Sequence, residues 1–250
     1  MNHGECMHIA PNSDTAVLLI HGILGTPNHF LDLLSLVPPN WSVCNLLLDG
    51  HGAGMEEFAH TSMKKWKAQV EAKQEELLAD HRRIIIVAHS MGTLFAISSA
   101  IRQPKRVSGL FLLAVPVRPL VSLKASVASV KLMFGIPGKD ATAAAMRADS
   151  SVELERGFWK YVKWTPRFAE LLFEAVQTEK ELPRLTVPTV ALQSSRDELV
   201  SSRSAYVLEK NPCVRVVQMP ESGHFGYRGQ DKEELLEQFR LWIKAMEGTK

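Results

Sequence analysis

Residues Ile84–Ala100 read IIIVAHSMGTLFAISSA. A β-branched apolar block, Ile84–Val87, passes through a corner of small residues carrying Ser90 and into apolar residues at helical spacing. The pattern predicts a strand, a sharp turn and a helix, with Ser90 at the apex. Such an elbow lifts a hydroxyl above the end of a sheet, next to a helix N-terminus. Strand and helix nearly touch there, so the flanking side chains must be small. Gly92 meets that need on one side, and Ala88 stands where the G-x-S-x-G pattern has its first glycine. Five residues decide little alone, and the rest of the chain must supply the partners.

The 250 residues are 46% hydrophobic and 22% charged, with a formal net charge of +2. That length suits one α/β domain, and so small a charge gives no field for nucleic acid or an anionic membrane. Cys6, Cys44 and Cys213 are odd in number and lack metal-ligand spacing. They fit a reducing compartment, and the cytoplasm is the expected setting. No apolar run approaches the roughly 18 residues that would span a bilayer.

Short Val/Ile/Leu runs alternate with amphipathic segments, which predicts an α/β fold with a mostly parallel sheet and helices on both faces. The expected strands are Ala16–Ile20, Trp41–Leu48, Ile84–Val87, Val107–Val115, Thr189–Gln193 and Val214–Gln218. Thr26 and Pro27 signal a helix start after the first of these. Leu235, Leu236, Phe239, Trp242, Ile243 and Met246 share one face of the last helix. Residues 117–183 break this rhythm with long helical patterns around a turn at Gly135–Gly138. They are expected to form a helical cap, or lid, inserted into a core of residues 1–116 and 184–250. The aromatic run Phe158–Trp164 is expected to pack inside that cap.

A serine hydroxyl becomes a nucleophile only when an oriented base takes its proton. Elbow scaffolds place serine, acid and histidine in that chain order. Of the nine histidines only His224 lies beyond Ser90, in the loop after the last expected strand. Asp197 follows the preceding expected strand, Thr189–Gln193, and can fix the imidazole tautomer, with the adjacent Glu198 as the alternative. Asp140 and Asp149 read as solvated charges on cap helices, and His51 and His89 as structural. The oxyanion needs two donors. The expected pair are the N–H groups of Met91, after the serine, and Ile23, in the turn His21–Gly25, whose glycines let the backbone aim its amides inward. No phosphate-cradling glycine motif or metal-ligand cluster is seen, and this chemistry needs no metal or cofactor.

Leu19–Pro27, Asp49–Gly52, Ala88–Gly92, Arg196-Asp197 and Ser222–Phe225 together resemble the α/β-hydrolases, and more narrowly the bacterial carboxylesterases and monoacylglycerol lipases. The resemblance implies a Ser90–Asp197–His224 triad, oxyanion donors at Ile23 and Met91, and a lid over 117–183. The fold does not choose the substrate, but the apolar make-up of 117–183, rich in Leu, Val, Met and Phe, favours a small hydrophobic ester with a short- to medium-chain acyl group, monoacylglycerols included. Acyl transfer or thioester cleavage on the same triad is the nearer alternative. A binding protein without turnover is the more distant one, because a pure binder needs no serine–histidine pair.

Overall fold

A computed structural model of the chain describes residues 3–120, 127, 131, 141–155 and 157–248. Among the described residues seven strands form one sheet in the order β1-β3-β2-β4-β5-β6-β7. They are β1 (Cys6–His8), β2 (Thr15–Ile20), β3 (Ser42–Leu46), β4 (Arg83–His89), β5 (Val107–Leu113), β6 (Thr189–Ser194) and β7 (Val214–Met219). Every pairing is parallel except β1 against β3. The edge strand β1 is exposed along its length and carries no apolar alternation, so no sequence signal marked it.

The side-chain period of two explains why the central strands are apolar throughout. Val17, Leu19, Ile85, Val87, Phe111 and Leu113 face Phe30, Leu33 and the last helix, α9 (Gly229–Gly248), through Phe239, Trp242 and Ile243. Leu18, Ile20, Ile84, Ile86, Leu110 and Leu112 face the opposite way, toward α3 (Met63–Asp80) and α4 (Met91–Arg102). The strand expected over Trp41–Leu48 is shorter because the chain leaves the sheet after Leu46. The Leu48 N–H then donates to His21 Nε2 at 3.1 Å instead of to a neighbouring strand. Thr26 does cap the turn after β2, accepting the Asn28 N–H at 3.2 Å, but the helix it opens begins as a 3₁₀ turn over Pro27–Phe30.

Among the described residues, helices α5 (Ala141–Asp149), α6 (Phe158–Val162) and α7 (Thr165–Glu181) lie between β5 and β6. Helices α1 (Leu31–Leu34) and α2 (Met55–Ala59) precede α3, and α8 (Arg203–Leu208) lies between β6 and β7. The expected turn at Gly135–Gly138 and Asp140 fall outside the described residues. Among the described residues no helix is long and apolar enough to cross a membrane.

Gly92 shows how tightly the elbow is built. A Cβ there would stand 2.3 Å from the Ile20 carbonyl oxygen and 2.7 Å from that of His21. Neither backbone oxygen can withdraw without disturbing β2. Gly92→Ala is therefore expected to lose about 3 kcal/mol of stability or more, read as an earlier midpoint in denaturant unfolding. An unchanged midpoint would contradict this packing.

Candidate active site

Ser90 occupies the corner between β4 and α4 at φ 49°, ψ −124°. Side-chain-bearing residues rarely adopt that backbone, which costs on the order of 1–3 kcal/mol and persists only where neighbours enforce it. Here the Ser90 N–H donates to the Leu113 carbonyl at 2.9 Å, and the Ser90 carbonyl accepts from the Thr93 N–H at 2.9 Å and hydroxyl at 2.6 Å. The Ala88 methyl lies in the core cluster on the α3–α4 face of the sheet, opposite Ile20 in the β2–β4 register.

Three side chains named from the sequence meet at this corner. His224 Nε2 lies 3.1 Å from Ser90 Oγ. His224 Nδ1 lies 2.9 and 3.1 Å from the two carboxylate oxygens of Asp197. Those partners assign the tautomer: Nδ1–H donates to Asp197 and Nε2 is free to accept the serine proton. Asp197 is itself oriented, because its Oδ1 accepts the N–H groups of Leu199 and Val200, both at 2.8 Å.

Glu198 does something else. Its Oε2 accepts the backbone N–H of His224 at 3.0 Å, and a Cβ on Gly223 would come within 2.7 Å of that oxygen. His89 Nε2 lies 3.3 Å from the His224 carbonyl, so the residue is held from both of its peptide groups. Asp231, in the first turn of α9, accepts the N–H groups of Glu221 and Ser222 at 2.9 and 2.7 Å, tying the loop to the last helix. Sequence reasoning missed Asp231, whose partners lie in a preceding loop of irregular conformation.

Burial disfavours a charged His224, but the charge and hydrogen bond of Asp197 outweigh it, and Asp149 and Glu198 add to them. The imidazole is held above its ordinary value. That suits a base that must keep a proton taken from serine. His21, His51 and His89 go the other way, since burial pushes all three down, His51 to about 4. They bind protons more readily when unfolded. Their contribution to stability is complete above about pH 6.5 and is lost as pH falls toward the folded values. His51 alone accounts for about 3 kcal/mol by pH 4. His224 has the opposite sign, its contribution being lost as pH rises through its raised value. The melting temperature is expected to fall steadily from about pH 6.5 to 4; a flat profile across that window would contradict the buried neutral imidazoles.

In the turn after β2 the Leu24 N–H is committed to His51 Nε2 at 3.0 Å. Among the described residues the Ile23 and Met91 N–H groups have no protein acceptor. The left-handed residue of this turn is Leu24, at φ 58°, and not a glycine as its composition suggested. Gly22 instead makes room: a Cβ there would stand 2.8 Å from Ser90 Cβ.

Ser90, His224 and Ile23 open onto a cavity of about 420 Å³ walled by apolar groups such as Leu154, Phe168 and Leu171. Asp149 also lines it. The expectation of a solvated charge is wrong for this residue: its side chain is 16% exposed and pairs with His29. The aromatic run divides. Trp164 is buried, donates its Nε1–H to the Met55 carbonyl at 3.1 Å and lines the cavity, whereas Phe158 and Trp159 are exposed.

The mostly parallel sheet and the strained serine at the β4–α4 corner define an α/β-hydrolase architecture. The model of the "Alpha/beta hydrolase family" matches residues 17–238. The chain belongs to that family. It is 25% identical over 234 residues to a thermostable monoacylglycerol lipase of Bacillus sp. (strain H-257), covering 91% of this chain and 90% of that one. It is 30% identical over 140 residues to the monoglyceride lipase of Rattus norvegicus, covering 52% of this chain and 46% of that protein. A solved structure described under two metagenome-derived lipolytic enzymes, LipS and LipT, superposes with a TM-score of 0.73 at 20% identity and covers 98% of both chains.

Proposed function

We propose that the protein hydrolyses carboxylic esters with hydrophobic, short- to medium-chain acyl groups, monoacylglycerols among them, through an acyl-serine intermediate. It is a lipase-type hydrolase. The observation that carries the reading is a buried Ser90–His224–Asp197 hydrogen-bond chain opening onto an apolar cavity.

Ser90 Oγ adds to the ester carbonyl as His224 Nε2 takes its proton, and Asp197 stabilises the imidazolium. The Ile23 and Met91 N–H groups bond the oxyanion, Met91 with the help of the α4 N-terminus. Collapse of the intermediate expels the alcohol, which receives the proton from His224. Water, deprotonated by the same imidazole, then attacks the acyl-serine and releases the acid. Residues 117–183 act as a cap over the core of 1–116 and 184–250, and Leu154, Trp164, Phe168 and Leu171 form its apolar underside. Three unpaired cysteines support a cytoplasmic setting.

The test is a p-nitrophenyl ester series of rising chain length beside a monoacylglycerol, with glycerol release measured. Multiple turnover with a short- to medium-chain optimum is expected. Stoichiometric binding without turnover would overturn the reading, and ester products formed in preference to acid when a second alcohol is supplied would mark an acyltransferase.

A further inference from the structure

Leu24 holds a left-handed backbone in the turn between β2 and the 3₁₀ turn at Pro27. A residue bearing a Cβ stays in that region only when its surroundings insist. Both polar groups of Leu24 are bonded. Its N–H donates to His51 Nε2 at 3.0 Å, and its carbonyl accepts the Ser151 N–H at 2.9 Å. The Ser151 hydroxyl also donates to the Gly25 carbonyl at 2.5 Å. His51 comes from the core loop after β3, and Ser151 follows α5 in the insertion, so the turn is held from two sides.

His51 is itself fixed. Its Nδ1–H donates to the Asp49 carbonyl at 3.2 Å, and its ring packs against Phe58 and Trp66 at centroid distances of 5.3 and 5.4 Å. Only a neutral imidazole can accept the Leu24 N–H, and burial brings His51 down to about 4, which keeps it neutral. The Ile23 N–H, one residue earlier, has no acceptor among the described residues and its residue lines the cavity beside Ser90.

We propose that His51 and Ser151 are positioning residues that fix Leu24 from opposite sides, so that the Ile23 N–H faces the substrate carbonyl and the Leu24 N–H is kept out of the hole. The inference rests on the oxyanion assignment made under the proposed function and adds to it a link between the insertion and the donor loop. Displacing the Ser151 segment breaks two hydrogen bonds to that loop, so a shift of the insertion acts on transition-state stabilisation as well as on access.

The test uses the full-length protein as wild type, His51→Ala, His51→Gln, Ser151→Ala and Ser90→Ala. Steady-state kinetics on one p-nitrophenyl ester are compared with inhibition by an alkylboronic acid, in which Ser90 Oγ bonds to boron as the serine proton leaves to His224. That adduct places an oxygen where the oxyanion forms, whereas a non-hydrolysable ether analogue reports ground-state binding alone. His51→Ala is expected to lower kcat and boronate affinity together by about 10- to 100-fold, with KM and ether affinity within about twofold. His51→Gln, whose amide oxygen is again an acceptor, should recover part of the loss. Ser151→Ala should show a smaller loss of the same kind. Folded His51→Ala with a lower melting temperature but unchanged kcat and boronate affinity would overturn the proposal. If His51→Ala does not fold, unchanged kcat and boronate affinity in Ser151→Ala overturns it instead. Full turnover in Ser90→Ala would remove the catalytic reading beneath it, an outcome distinct from either.

Discussion

Replacing Ser90 with alanine is expected to reduce ester turnover by at least about 10⁴-fold while the protein stays folded. Exchanging the hydroxymethyl side chain for a methyl leaves the elbow intact, because its fixed points are backbone bonds to Leu113 and Thr93. What disappears is the one oxygen that His224 Nε2 meets at 3.1 Å. His224→Ala should cost nearly as much, and the double variant little more than either, because nucleophile and base act as one unit. Any residual rate over the uncatalysed reaction would come from the oxyanion donors and binding. Turnover measured beside thermal unfolding checks this. Losses that multiply in the double variant would show that the two side chains work independently.

Asp197→Asn should lower kcat by roughly 10³- to 10⁴-fold, whereas Glu198→Gln should cost less than about tenfold. Both acids lie beside His224, but they hold different parts of it. Asp197 bonds the ring at 2.9 Å, so an amide there lets the imidazole take the wrong tautomer. Glu198 bonds the backbone N–H at 3.0 Å, and the glutamine oxygen can still accept it. The pH profile separates them further. Activity needs the neutral imidazole, so the acid limb of the wild type should lie above the ordinary histidine range. Removing the Asp197 charge leaves burial opposed only by the weaker effects of Asp149 and Glu198 and should move that limb to lower pH, with a smaller move in the same direction for Glu198→Gln. A Glu198→Gln enzyme more damaged than Asp197→Asn would reverse the two roles.

These assignments were legible in the sequence to different depths. The buried strands were readable because parallel strands covered on both faces are apolar at every position, as Ile84–Ala88 are. His224 could be named because chain order excluded every other histidine. The choice between Asp197 and Glu198 had to wait for the fold, since adjacent carboxylates differ only in where the loop turns each of them. Asp149 read as a solvated charge on a cap helix, and Ser151 carried no sequence signal. Their partners, His29 and the Leu24–Gly25 turn, lie more than a hundred positions earlier. The strain at Leu24 was hidden by two glycines that looked like the flexible points, although one of them is needed only for its missing side chain.

The most direct test of a reactive Ser90 is covalent labelling with a fluorophosphonate, followed by peptide mapping. Phosphorus should bond to Ser90 Oγ with loss of fluoride, giving one adduct that is absent in Ser90→Ala and forms far more slowly in His224→Ala. Undiminished labelling of Ser90→Ala, or an adduct mapped to any other residue, would contradict it.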